Sequence, residues 1–231
     1  MEIIRIGLKR KRLLITGCGR SGTLYSAKIW QSLGLDIRHE RPVPPNGVMG
    51  ADGAASWFMV ADDPRPPSGP SILDYTFDVV IHQVRHPLKV IASMAQFVLQ
   101  HGKRAPGYIE RHVPDTKLSP EEQNHLDFKQ QLILIASRYW YHWNLMAEAK
   151  ADKIVRVEDL NEELPDLCDL VGVPYRPDVL DGVSKDINAR RCHVPDEPWE
   201  VTWGEIKRLD PEIYQSIKHL AVTYGYTGPF Q

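Results

Sequence analysis

Two short segments of this chain place cations, hydroxyls and glycines at spacings that bind anions. The first is Gly17-Cys18-Gly19-Arg20-Ser21-Gly22-Thr23, which follows the apolar run Leu13-Leu14-Ile15 and precedes a helical pattern. Glycines let successive backbone amides point to one side, and the helix start adds its positive end, so the segment suits a phosphate or sulfate. A strand–helix turn that needed glycine for tightness alone would have no use for Arg20, Ser21 and Thr23 together. The second segment is Arg85-His86-Pro87, after the strand-like run Val79 to Val84, with Ser93 eight residues beyond Arg85. An arginine at a strand end can clamp a phosphate, and a serine two helical turns later faces the same side. Two separate anion sites suit a nucleotide that carries phosphate at both ends.

Gly17 and Gly22 are four residues apart, as in a P-loop, but that pattern then requires Lys followed by Ser or Thr. Here Thr23 follows Gly22 directly and the cation comes earlier, at Arg20, which argues against an ATPase or kinase. GRSGT (Gly19 to Thr23) and RHPLKVIAS (Arg85 to Ser93) resemble instead the two cofactor motifs of sulfotransferases that use 3′-phosphoadenosine 5′-phosphosulfate, PAPS. The resemblance implies a P-loop NTPase-like α/β fold with PAPS as co-substrate and no metal. It implies that Arg20 meets the 5′-phosphate and bridging oxygen, with Gly19, Ser21, Gly22 and Thr23 completing the cofactor-binding loop. Arg85 and Ser93 would then hold the 3′-phosphate. Tyr25 falls where many cytosolic members have a tryptophan beside the adenine, and it either stacks there or packs in the core. Arg190 and Arg191 either add charge to the 3′-phosphate or form a solvated basic pair, since the usual Arg-Lys-Gly wording is absent. Tyr139 to Asn144, Ile154 to Leu160 and Gly225-Tyr226 resemble the family less specifically.

Sulfuryl transfer needs a base within reach of the acceptor and a cation at the leaving oxygen. Arg20 suits the cation's role. His39-Glu40 follows the second predicted strand, at the same sheet edge as the glycine loop, and supplies the base, its two members not being separable from sequence. Asp52, Asp62 and Asp63 are the next candidates, whereas His82, inside a strand, is expected to pack or hydrogen-bond there. The resemblance leaves the acceptor as a hydroxyl or amine of a small molecule or glycan. Trp57, Phe58, Trp140, Tyr141 and Trp143 either line a pocket for it or belong to the core. Two alternatives stand beside this reading. One is a P-loop kinase, with Glu158 and Asp159 after IVRV as magnesium carboxylates. The other is a nucleotide-binding protein without catalysis.

The elements that must position these residues alternate. Strands are expected at Arg12 to Gly17, Leu35 to Arg38, Val79 to Val84 and Lys153 to Val157. Helices are expected at Thr23 to Leu33, from Pro87 through Val98, from Ser119 to about Lys150, at Leu160 to Val171 and at about Asp210 to Tyr224. Glu40 to Pro70 reads as a functional loop and Gly102 to Ser119 as a polar excursion. Alternating strands and helices predict a three-layer α/β domain spanning 1–231, its mostly parallel sheet covered on both faces, with ligands beyond the carboxyl ends of the strands.

Composition narrows the class further. Of 231 residues 42% are hydrophobic and 25% charged, which excludes a wholly disordered, collagenous or membrane-spanning chain. With 28 basic and 30 acidic side chains the net charge is −2, so no general nucleic-acid binding is expected. Cys18, Cys168 and Cys192 lack metal-type spacing and read as free thiols of a reducing cytoplasm. Arg5 and the Lys9 to Arg12 run interrupt any N-terminal signal core, and no stretch approaches the ~20 apolar residues of a membrane span.

Overall fold

The computed structural model describes residues 8–40, 48–67, 69–99, 105–183 and 199–228. Among them, β1 (Lys9–Thr16), β2 (Ile37–His39), β3 (Gly53–Ala55), β4 (Tyr75–Val84) and β5 (Lys153–Arg156) form one sheet. Its order is β2-β3-β1-β4-β5 and every pairing is parallel. The chain steps outward from β1 to β2, returns to β3, then crosses β1 to reach β4. The direction of travel therefore reverses at β1, which puts the crevice for a ligand at the carboxyl end of that strand.

A strand buried on both faces needs apolar residues of both parities. Leu13 and Ile15 pack on one face with Ala27, Ile29 and Trp30 of α1 (Thr23–Ser32) and with Leu160, Leu164 and Leu167 of α6 (Leu160–Val171). Leu14 faces the other way, against Ala54 and Met59. That second face is covered by α2 (Pro87–Ser93), a π-helical turn at Met94–Leu99, α5 (Phe128–Glu148) and α8 (Pro211–Thr223). Trp140 and Trp143 of α5 are fully buried there, and truncating either would cost about 3–5 kcal/mol. The layers are thus helix, sheet, helix.

Four local features differ from the sequence expectation. Gly53-Ala54-Ala55 forms β3 although none of its residues favours strands, because β1 and β2 supply partners on both sides. The expected helix from Ser119 to Lys150 is two helices, α4 (Pro120–His125) and α5. Leu126 is extended, and Asp127 opens α5 with a second capping box that pairs it with Gln130. Within the excursion, α3 (Ala105–His112) forms, and α7 (Trp203–Leu209) precedes α8. No helix among the described residues is long and apolar enough to cross a membrane.

Candidate active site

β1 delivers the chain into the glycine loop and α1 receives it. Gly22 is the residue before α1, at φ 90°, and no side chain caps the helix. The helix start thus keeps its positive end for an anion. A Cβ at Gly22 would lie 2.9 Å from Val157 Cγ2, and one at Gly17 (φ 147°) would lie 2.3 Å from the Gln83 carbonyl oxygen. The loop therefore lies flat on the ends of β4 and β5, an approach only glycine allows. Arg20 is in the left-handed region at φ 71°, the one non-glycine residue so placed among those described. That conformation costs roughly 1–2 kcal/mol for an ordinary side chain. Ser21 is wholly buried and its Oγ meets no hydrogen-bond partner among the described residues. A buried hydroxyl in that condition is what the oxygens of a bound phosphate or sulfate would satisfy.

The two anion motifs meet. Arg20 Nε donates to Ser93 Oγ at 2.9 Å, and an Arg85 guanidinium nitrogen donates to the Arg20 carbonyl at 3.2 Å. Ser93 is the buried last residue of α2, brought here because Pro87 starts that helix directly after the β4 end. Gln83, which sequence reasoning passed over, braces the loop. Its Nε2 donates to the Ser21 carbonyl at 2.7 Å and its Oε1 accepts from Ser26 Oγ of α1. The available signal was one amide side chain inside an apolar strand, two residues before Arg85.

The Gly19 N–H donates to Tyr139 Oη at 2.8 Å, inside the protein. Burial pushes the Tyr139 phenol and the neighbouring Cys18 thiol well up, so both stay protonated. Tyr25 is half-buried, packs against the α1–α6 core and donates from its hydroxyl to Asn161 Oδ1 at 2.9 Å. Arg190 and Arg191 lie outside the described residues.

His39 ends β2 and Glu40 follows, and since β2 runs parallel to the rest, both stand at the edge that holds the loop. His39 Nε2 is 3.2 Å from Thr23 Oγ1 and 3.4 Å from Glu40 Oε1, while Glu40 Oε2 accepts the Trp57 N–H at 3.1 Å. Their side chains are only 12% and 15% exposed, which strengthens these contacts. The three aspartates do not join them. Asp52 precedes β3, so it stands at the opposite sheet edge, accepting the Asp36 N–H at 2.8 Å. Asp62 is exposed and pairs with Lys150. Asp63 is buried at 2.7 Å from both the Arg65 N–H nitrogen and His112 Nε2, and it pairs with Arg111. Burial pushes its carboxyl up, but these three donors outweigh that and hold it below the usual range.

His82 behaves as expected of a strand residue. It lies 3.0 Å from Asn144 Oδ1, and burial lowers it to about 4, so it is neutral at pH 7. The expected aromatic residues form a block beneath the loop. The Trp57 ring centroid lies 5.4 Å from that of Trp143 and 6.0 Å from those of Tyr139 and Tyr108. Trp140 is fully buried in the same cluster, and Phe58 and Tyr141 pack on it half-buried. These rings are core first.

No family model matches the chain, and no curated protein matches it. Among solved structures it is similar to a sulfotransferase domain from the curacin biosynthetic pathway, at 13% identity and a TM-score of 0.44, over 96% of this chain and 100% of that one. By its own topology the chain is an α/β protein with an all-parallel sheet among the described residues, a glycine loop after the first strand and a helix opening from that loop.

Proposed function

We propose that this protein transfers a sulfuryl group from PAPS to a hydroxyl or amine of a small-molecule or glycan acceptor. The observation that carries the reading is the junction of the two anion motifs, residues 73 positions apart joined by the Arg20–Ser93 hydrogen bond. Two arginines, the orphaned Ser21 hydroxyl and an uncapped helix start then share one sheet edge, a donor set that fits a nucleotide phosphorylated at separate positions. PAPS would supply the activated sulfuryl group. Arg20 would neutralise charge growing on the leaving oxygen, where a fixed cation in a dry site is most effective. Arg85 and Ser93 would hold the second phosphate, and the His39-Glu40 pair would take the acceptor's proton.

The carboxylates of the kinase reading have partners within the protein. Glu158 accepts the His86 N–H at 3.3 Å and the Tyr226 hydroxyl at 2.9 Å, and Asp159 pairs with Arg156. Thermal melts with 3′-phosphoadenosine 5′-phosphate (PAP), and with ATP plus magnesium, test the choice. At a hundred times its Kd, PAP should add about 2.7 kcal/mol without magnesium, a rise of about 5–10 °C for a chain of this size. A larger rise with ATP and magnesium would favour the kinase. A rise with PAP but no sulfuryl transfer to any hydroxylated or amine acceptor would favour binding without catalysis.

A further inference from the structure

Of the two neighbours at the end of β2, His39 has the more constrained geometry. Its Nε2 faces two oxygens at once, Thr23 Oγ1 at 3.2 Å and Glu40 Oε1 at 3.4 Å. Glu40 can present only lone pairs when ionised, and its other oxygen already accepts the Trp57 N–H. A bare Nε2 would aim its own lone pair at that carboxylate and would draw the Thr23 hydroxyl proton onto itself. An Nε2 carrying hydrogen reverses both effects. It donates to the Thr23 oxygen, attracts the nearby carboxylate by charge, and leaves the Thr23 O–H to donate elsewhere. Thr23 is the first residue of α1, so its free O–H belongs to the anion loop.

We propose that His39 is a positioning residue, whose Nε2–H turns the Thr23 hydroxyl toward the anion loop and holds the Glu40 carboxylate at its rim. This rests on the sulfuryl-transfer reading, and it divides the roles that sequence left joined. Glu40 takes the acceptor's proton, and His39 orients both the base and one loop donor. With water as acceptor, its oxygen bonds to sulfur, the sulfur–bridging-oxygen bond breaks, the electron pair leaves with PAP and Glu40 receives a proton.

The first test is the ring tautomer, read from long-range 1H–15N correlations of His39 in the full chain, without and with PAP. The expected spectrum shows a protonated Nε2 in the protein alone and a shift of that nitrogen when PAP is added. A bare Nε2 would overturn the proposal. The second test uses side-chain reach, with melting curves to verify folding. In His39→Gln the amide nitrogen occupies the place of Nε2, whereas in His39→Asn it falls short. PAP affinity by calorimetry should stay within twofold of wild type for His39→Gln and fall about three- to tenfold for His39→Asn and His39→Ala. Equal affinities in all three would overturn it. For PAPS hydrolysis, kcat should fall further in Glu40→Gln, by at least about a hundredfold with PAP affinity kept, than in any His39 variant. A loss of a hundredfold in His39→Gln with unchanged PAP affinity would make His39 the base and sink the proposal. If PAP fails to bind the wild type, the nucleotide reading fails, and the tautomer of the unliganded protein still decides the role of His39.

Discussion

Gln83→Leu is the sharpest perturbation of the loop that leaves its charges alone. The side chain is 1% exposed, so leucine of similar volume fills the space while both amide hydrogen bonds vanish. The Ser26 hydroxyl sits in α1 and can turn to the carbonyl one helical turn back, so its loss is the smaller, about 0.5–1 kcal/mol. The Ser21 carbonyl lies in the loop, with Gln83 Nε2 as its donor at 2.7 Å. Leaving it buried and unpaired costs about 1–3 kcal/mol. The sum is about 1.5–4 kcal/mol, read by urea denaturation, or roughly 3–16 °C in Tm at 2–4 °C per kcal/mol. PAP affinity should fall about tenfold or more, since the loop must then be ordered by the ligand itself. Ser26→Ala, as control, should cost less than half as much. A Gln83→Leu protein within 0.5 kcal/mol of wild type, binding PAP normally, would refute the brace.

The second anion motif predicts that Arg85→Ala weakens PAP binding roughly tenfold to over a hundredfold, and Ser93→Ala less, by calorimetry. Equal affinity in a folded Arg85→Ala protein would remove that residue from the site. Arg20→Ala should lower both PAP affinity and PAPS turnover, because its charge acts in ground and transition states alike; a variant that lost only one would contradict this. His82 makes stability depend on pH. Its folded value, about 4, lies below the ordinary 6.5, so the unfolded chain binds the extra proton and stability falls as pH drops from 6.5 towards 4, by about 3 kcal/mol in all. Urea midpoints across that range should flatten in His82→Gln, and parallel curves would count against the assignment.

Where punctuation and pattern coincided, the fold was legible before any coordinates. Leu13 to Ile15 ending in Gly17, Pro87 after Val84, and Leu160 to Val171 closed by Gly172 each combine a periodic run with a stop or start signal, and each element stands close to where it was expected. β3 was not legible, since Gly-Ala-Ala becomes a strand through its neighbours rather than by preference. The break at Leu126 was written in the sequence as Asp127-x-x-Gln130, but the stronger signal at Ser119 masked it. In the site, charged residues after strand ends were visible. Gln83 and Tyr139 were not, because each acquires its role from a loop residue 62 or 120 positions away. For Asp52 the reason is related, since it precedes β3 and so stands at the opposite edge. Sequence distance from His39 says nothing of which sheet edge a loop occupies.

The left-handed backbone at Arg20 bears on how this protein can change over generations. Glycine or asparagine would sit at φ 71° with less strain, and the net gain in folding would reach up to about 1 kcal/mol. Either replacement would delete the donor to Ser93 and the loop's own cation. On the proposed reading, selection for durability and selection for turnover would therefore pull position 20 in opposite directions. A directed-evolution campaign scored on heat resistance alone would drift toward glycine there and arrive at a sturdier protein with an emptied repertoire.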